Sequence, residues 1–333
     1  MPISNNPQST QAPNLDHRLY TQLSLGSMRS TVPASLGYGE AIGHHGELLQ
    51  GIFEDENARL HRGLTSLPCR DLKSTATFKA SNEDGVTVTP VCCEKSKRAA
   101  ELALARFARI RVGGHLTIAS NIPVARGMGS STADVLASIS AVLDYLHVEA
   151  TPDRVMEIAV RAETACDSTL FSQQAVLFAH REGIVIESFR TSLPAFDFIS
   201  VDAAPDQSVD TLVFEPARYD SFEVELFRPL RSLMRRAIRD ADLGLLGRVA
   251  TASALINQRF LPKPRLDEIQ AIGTRHGAVG VQVAHSGTVV GLLFDPASAR
   301  TTKHMDLAMH DLRKSGFEPS IFRNRMTFGA TIG

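Results

Sequence analysis

The sequence is short of several things, and each shortage removes a class of function. Neither charge sign is in excess: 35 Lys and Arg stand against 36 Asp and Glu, a formal net charge of −1. Such a balance lacks the basic surplus that a nucleic-acid or anionic-membrane partner requires. Cysteine is scarce. The four residues (Cys69, Cys92, Cys93, Cys166) show no paired spacing, and two are adjacent. A disulfide framework is therefore not expected, and a reduced, cytoplasmic chain with free thiols is. No long apolar run and no positive–apolar–small leader is seen, so neither a membrane span nor a secretion signal is expected. What remains is 333 residues, 43% hydrophobic and 21% charged, enough for a sizeable core in two domains or one large one.

Residues 1–30 are rich in Ser, Gln, Asn and Pro and read as a flexible extension. From 31 to about 91, short β-like runs alternate with turn residues. Thr75-Ala76-Thr77-Phe78 and Val86-Thr87-Val88-Thr89 are two of them, with Ser81-Asn82-Glu83-Asp84-Gly85 between them as a hairpin turn. Apolar spacing at Ala99, Leu102, Ala103 and Phe107 predicts a helix over 95–110, and 115–120 reads as a strand. A helix over 131–147 carries two apolar rows, through Leu136, Ile139, Leu143, Leu146 and through Val135, Ile139, Val142, Leu146, so burial on more than one side is expected. Ser131 and Asp134 fit an S-x-x-D capping pattern at its start. A second helix follows over 151–166, then two strand-like runs within 175–189 and a Pro-containing crossover at 191–216. Helices at 222–239 and 245–259, strands at 279–284 and 288–294, and one more helix and strand within 298–333 complete the chain. The alternation suggests an α/β or α+β two-layer fold.

One stretch stands out, Pro123-Val124-Ala125-Arg126-Gly127-Met128-Gly129-Ser130-Ser131-Thr132-Ala133, a small-residue loop between a strand and the long helix. It lacks the third glycine of a dinucleotide fingerprint and the G-K-[ST] ending of a Walker A loop. In isolation it reads equally as a serine-capped turn or a phosphate cradle. Glycines admit a ligand close to the backbone, Arg126 could offset phosphate charge, and Ser131 could reach a metal ion.

This run resembles the P-x3-G-x-G-S-S-x-A signature of the GHMP kinases. Two further stretches resemble that superfamily's other motifs in the right order: Pro33-Ala34-Ser35 with Gly46-Glu47-Leu48-Leu49-Gln50-Gly51, and Val283-Ala284-His285-Ser286-Gly287-Thr288-Val289-Val290-Gly291. The resemblance implies an α+β fold. After the extension (1–30) it implies an ATP-binding N-terminal domain (31–190) like the second domain of ribosomal protein S5, then a ferredoxin-like C-terminal domain (191–333). G-E-L-L-Q-G, the Gly-Met-x-Ser-Ser-Thr-Ala-Asp form of the loop, A-H-S-G-T, and Asn257-Gln258-Arg259 through Lys263-Pro264 resemble the L-threonine kinase branch. The segment between Pro33 and Gly46 is longer than in that branch, with a Gly/His-rich insert at 37–45. If the insert lines the acceptor pocket, the acceptor differs from threonine.

The resemblance implies ATP as donor, with Pro123, Arg126, Gly127, Met128, Gly129, Ser130, Ser131 and Thr132 around its phosphates. It implies Mg²⁺ on Ser131 and Glu163, and Asp167 as base or acceptor orienter. Each has a plainer reading: Glu163 as a solvated helix-end carboxylate, Asp167 as a cap on Ser168-Thr169. Glu47 and Gln50 are candidates for acceptor binding, Gln50 equally for a structural turn, and His285 and Ser286 for acceptor contact across the domain interface. Adjacent His44 and His45 cannot face one ion as H-E-x-x-H does on a helix, so zinc is not expected. Arg228, Arg231, Arg235, Arg236 and Arg239 read as a solvated helix face, one of them a candidate for a substrate carboxylate. The expected function is ATP-dependent phosphorylation of a small hydroxy amino acid, L-threonine first. The alternatives are another acceptor (homoserine, serine or a biosynthetic alcohol) or a non-catalytic ligand-binding protein. A homodimer is one allowed assembly.

Overall fold

Two long antiparallel strands carry the molecule, β1 (Leu36–Glu54) and β2 (Leu60–Ser81). They belong to a computed structural model that describes residues 36–171, 173–207 and 217–323. The expected extension at 1–30 and Pro33-Ala34-Ser35 lie outside the described residues. The Gly/His-rich segment 37–45 forms the first half of β1. Gly37 and Gly39 lie against the helix α2 (Ser130–Leu146), where a Cβ on either would stand 2.1 Å from a helix carbonyl, Ala141 O and Ala137 O respectively. Glycine is there so that strand and helix backbones can touch. Its residues 43–49 are buried on both faces.

The hairpin expected at 81–85 does not form. β3 (Val86–Thr89) pairs in parallel with β4 (Gly113–Ser120), and β4 inserts between it and β2. Both strands add to the core beneath the helices, Val86 and Val88 from β3 and Leu116 and Ile118 from β4, so local turn chemistry alone does not fix which of them pairs with β2. Those helices are α1 (Glu94–Phe107), α2 and α3 (Pro152–Glu163), and α2 is buried on several sides, through Val135, Leu136, Ile139, Val142 and Leu143, as its two apolar rows predicted. β5 (Val176–Ala179) pairs with β2 and with β6 (Ile184–Ser188).

The chain then crosses to a second half-sheet after β6. The segment 191–216, expected as a plain crossover, contains a buried strand, β7 (Asp197–Asp202). The helices α4 (Ser221–Arg239), α5 (Leu243–Asn257) and α6 (Leu266–Arg275) follow, then β8 (Gly280–Val283), β9 (Val289–Phe294), α7 (Thr301–Lys314) and β10 (Ser320–Arg323). α6 escaped the sequence reading because it is short, contains Gly273 and has no side-chain cap at Arg265. The order β10-β7-β9-β8, all antiparallel, is the ferredoxin-like arrangement. The half-sheets meet at one residue pair, Glu47 opposite Val283. Beneath this junction Leu48, Leu49, Met128, Phe227, Leu246 and Ala284 share one core.

The expected arginine face of α4 is balanced by acids: Arg228 by Glu54, Arg231 and Arg235 by Glu187, Arg236 and Arg239 by Asp240. Gly39→Val should destabilise the fold by about 1–3 kcal/mol or more through overpacking. Urea denaturation would measure it, and an unchanged midpoint would refute the strand–helix contact.

Candidate active site

The loop between β4 and α2 is anchored by side chains and by its own carbonyls, Arg126 O accepting from Thr288 N at 3.2 Å. Asn121 ties the strand exit to β2, accepting from Lys73 N (2.7 Å) and donating to Asp71 O (2.9 Å). Met128 is buried in the shared core and His44 N donates to its carbonyl at 3.1 Å. Gly127 and Gly129 adopt φ of 75° and 77°. A Cβ on Gly127 would collide with Ala284 and Gly287, and one on Gly287 with the Arg126 carbonyl, so loop and A-H-S-G-T turn touch backbone to backbone. The motifs at 46–51, 123–133 and 283–291 therefore converge in space.

The expected S-x-x-D cap is absent. α2 starts at Ser130 with Gly129 as N-cap and no side-chain cap bond, and Asp134 instead accepts from Ser74 Oγ at 2.5 Å. An uncapped helix start leaves first-turn N–H groups and the positive helix end free for an anion. Arg126, expected to offset phosphate charge, is engaged within the protein: it pairs with Asp202 (3.0 Å) and donates to Gln207 O and Pro205 O (2.8 Å each). Pro123 and Val124 are exposed on the loop's outer side.

Two carboxylates face this helix start. Glu163 ends α3 and is buried rather than solvated. It hydrogen-bonds Ser131, accepts from Thr132 Oγ1 at 3.0 Å, and lies 3.6 Å from Lys95 Nζ. Burial pushes its carboxyl above the usual range, against the pull of Ser131 and Lys95. A buried carboxylate beside a serine hydroxyl is a hard-oxygen donor set suited to Mg²⁺. Three residues turn the chain from Glu163 to Asp167, through Thr164 at φ 82°. Positive φ in a β-branched residue costs about 1–3 kcal/mol, strain of the kind that gathers at functional sites. It brings Asp167 back to α2, where its N–H donates to Thr132 Oγ1 at 3.3 Å.

Asp167 does not cap Ser168-Thr169. Its Oδ2 lies 3.0 Å from His44 Nε2, while His44 Nδ1 lies 3.2 Å from Gly46 O and 3.6 Å from Glu47 Oε1. A ring with a carbonyl at one nitrogen and a carboxylate at the other needs a proton on both. Burial alone would lower the His44 pKa, but Asp167, Glu47 and the Gly46 carbonyl override it and raise it to about 9. In turn His44 holds Asp167 below the carboxylate range despite burial. The ligand atoms of His44, Glu47 and Asp167 fall within 4.8 Å of one another, a spacing a metal could use. An imidazolium, however, has no lone pair to give. His45 points the other way, bonding Ser200 Oγ at 2.6 Å and Gln282 in the core.

Glu47 is buried at the half-sheet junction and accepts from His285 N at 2.9 Å. Burial raises its pKa to about 7. Among the expected residues, Ser131, Thr132, Glu163, Asp167, Glu47 and His285 gather with the loop glycines, and Ser286 lies half-buried in the same turn as His285. Gln50 holds a structural junction: its N–H donates to Ser253 Oγ (3.0 Å), its carbonyl accepts from Asn257 Nδ2 (3.1 Å), and its side chain bonds Tyr219. Sequence reasoning missed His44, Lys95, Lys263 and His180, a buried histidine just after β5 whose charge state is felt by Asp167. Lys263 had a signal in the Asn257-to-Pro264 stretch, and His44 was set aside with its neighbour. The other two join the group only through the fold.

An α+β fold with a glycine-rich helix start opposed by two buried acids defines a protein of the phosphate-handling kinase class. Two family models match it in chain order, the GHMP kinases N terminal domain over residues 94–176 and the GHMP kinases C terminal over 234–305. The chain belongs to the GHMP kinases. It is similar to the L-threonine kinase of Citrobacter freundii, 32% identical over 194 residues that are 54% of this chain and 62% of the relative. It is also similar to the homoserine kinase of Moorella thermoacetica, 28% identical over 198 residues, 58% of this chain and 66% of the relative. The chain thus spans less than two thirds of the length of each. The crystal structure of homoserine kinase from Cytophaga hutchinsonii superposes with a TM-score of 0.63 at 13% identity, covering 90% of this chain and 96% of that one, and so shares the fold. Among the described residues no helix is long and apolar enough to cross a membrane.

Because the His44 pKa lies at about 9 when folded against 6.5 ordinarily, its charge stabilises the fold fully below pH 6.5. That contribution is lost as pH rises through 9. Urea titrations from pH 6 to 10 should therefore show the stability gap between the native chain and His44→Asn closing across that window. A gap independent of pH would refute the imidazolium.

Proposed function

We propose that the chain is an ATP-dependent kinase that phosphorylates the side-chain hydroxyl of a small hydroxy amino acid, L-threonine first. The observation that carries this reading is the uncapped start of α2 facing Glu163 on one side and the Asp167–His44 pair on the other. First-turn N–H groups around Ser130, Ser131 and Thr132 hold the donor phosphates, at the end of a loop that turns through positive φ at Gly127 and Gly129. Ser131 and Glu163 would hold Mg²⁺, which when bound offsets phosphate charge. Asp167 accepts the acceptor hydroxyl's hydrogen bond and aims its oxygen at the terminal phosphorus. With His44 already holding both its ring protons, the hydroxyl proton passes to the Asp167 carboxylate. That carboxylate is a weak base, so orientation is its larger contribution.

The Citrobacter relative supports threonine as the acceptor, and the L-threonine-branch motifs point the same way. Homoserine is the second reading, supported by the Moorella relative. Glu47 and His285 stand where an amino acid's polar groups would be read. Incubation with ATP, Mg²⁺ and a panel of hydroxy amino acids, followed by phosphorus NMR, should give a phosphoester with threonine. No phosphoester with any member of the panel would overturn the reading. Ser131→Ala and Glu163→Gln should each lower kcat on the order of 10²-fold with the fold intact, the scale of removing one preorganised group. Asp167→Asn should lose less. Unchanged turnover in the first two would refute the metal assignment.

A further inference from the structure

A buried ammonium in the C-terminal half has fewer partners than its burial demands. Lys263 lies beyond the end of α5, and only 2% of it is exposed. Its backbone is clamped by Gln258, whose Nε2 donates to Lys263 O at 2.8 Å and whose Oε1 accepts from Lys263 N at 2.9 Å. The clamp leaves Nζ to find its own contacts. An ammonium has three donors, and among the described residues its one hydrogen bond is to Leu261 O at 3.1 Å. Nor does it form an ion pair with any carboxylate among those residues. Its charge is nonetheless felt by Glu47 and by His285. A cation taken out of water without a paired anion is costly, and an apolar side chain of similar volume would be the better structural choice.

A second group is unsatisfied in the same place. His285 is fully buried and its Nε2 has no hydrogen-bond partner among the described residues. Its own backbone N–H is the donor that holds Glu47. Burial and the Lys263 charge keep the ring neutral, so it can meet a ligand without adding charge. Beside it, Glu47 has one carboxylate oxygen bonded to that N–H and the other 3.6 Å from His44. A buried ammonium thus lies within electrostatic reach of a neutral imidazole and a buried carboxylate, which are joined through the His285 N–H, and the carboxylate lies within 4.8 Å of the aspartate that would aim the hydroxyl. That set complements a zwitterion, an anion at Lys263 and an ammonium at Glu47.

We propose that Lys263 binds the carboxylate of the acceptor and so restricts this kinase to hydroxy amino acids over sugars and neutral alcohols. The assignment rests on the kinase reading above. The same ammonium could in chemical terms meet a nucleotide phosphate, and the test separates the two anions.

The experiment uses the full chain with ATP and Mg²⁺ and compares L-threonine with L-threoninamide, which keeps the hydroxyl and the ammonium and lacks the carboxylate. L-homoserine and its amide replace them if homoserine is the better acceptor. The native chain should show a KM for the amide about 100-fold or more above that for the acid, since a site built for a polar group rejects the analogue lacking it. Lys263→Met should raise the KM for the acid to a similar extent, leave the amide within about twofold, and leave the ATP KM unchanged. Equal KM values for acid and amide in the native chain would overturn the proposal whether or not the variant folds. So would a Lys263→Met effect that falls on ATP or equally on both acceptors. If nothing is phosphorylated, the kinase reading fails by itself. Calorimetric titration of L-threonine and L-threoninamide then still decides: binding that needs both the carboxylate and Lys263 upholds the assignment, and its absence overturns it.

Discussion

Everything at the site depends on the junction where Glu47 of β1 meets Val283 of β8, the one residue pair that joins the two half-sheets among the described residues. On the N-terminal side it sets His44 against Asp167 and against the Met128 carbonyl. On the C-terminal side it places His285 N against the Glu47 carboxylate and the 284–288 turn against Gly127. A side chain at Gly127 or Gly287 would prise loop and turn apart, so the junction explains small residues in motifs more than a hundred positions apart.

The electrostatics follow from burial at that junction. Glu163 and Glu47 are pushed toward neutrality by desolvation, whereas Asp167 is held ionised because His44 lends it a cation at 3.0 Å. Carboxylates in one small volume are thus driven apart in proton affinity. This is the usual way for neighbouring acids to take different roles. The strained Thr164 is the local cost of bringing Glu163 and Asp167 to the same helix start.

The family and most of the helices were legible in the sequence, because a signature of glycines and hydroxyls and a 3.6-residue apolar period are local properties. Ser131, Glu163 and Asp167 were singled out through resemblance, and the fold brings them together at the start of α2. The strand order was not legible. The turn at 81–85 carries every local mark of a hairpin, but β4 takes the place beside β2 and leaves β3 at the edge, a pairing between segments distant in the chain. That 37–45 would form a strand was not legible either, because a glycine needed for a turn and one needed for close packing are the same letter. Arg126 looked like a phosphate ligand because its pairing with Asp202 spans the fold.

By itself, then, the sequence determined the chemistry on offer: a loop able to cradle an anion, acids to face it, and a chain balanced in charge. Tertiary structure alone decided which groups meet. His44 becomes a cation only when Asp167 and the Gly46 carbonyl close on its two ring nitrogens. Lys263 becomes an unsatisfied one only when the fold withdraws it from water. Charge state in a protein is set by surroundings, and those surroundings come from strands and helices distant in the chain.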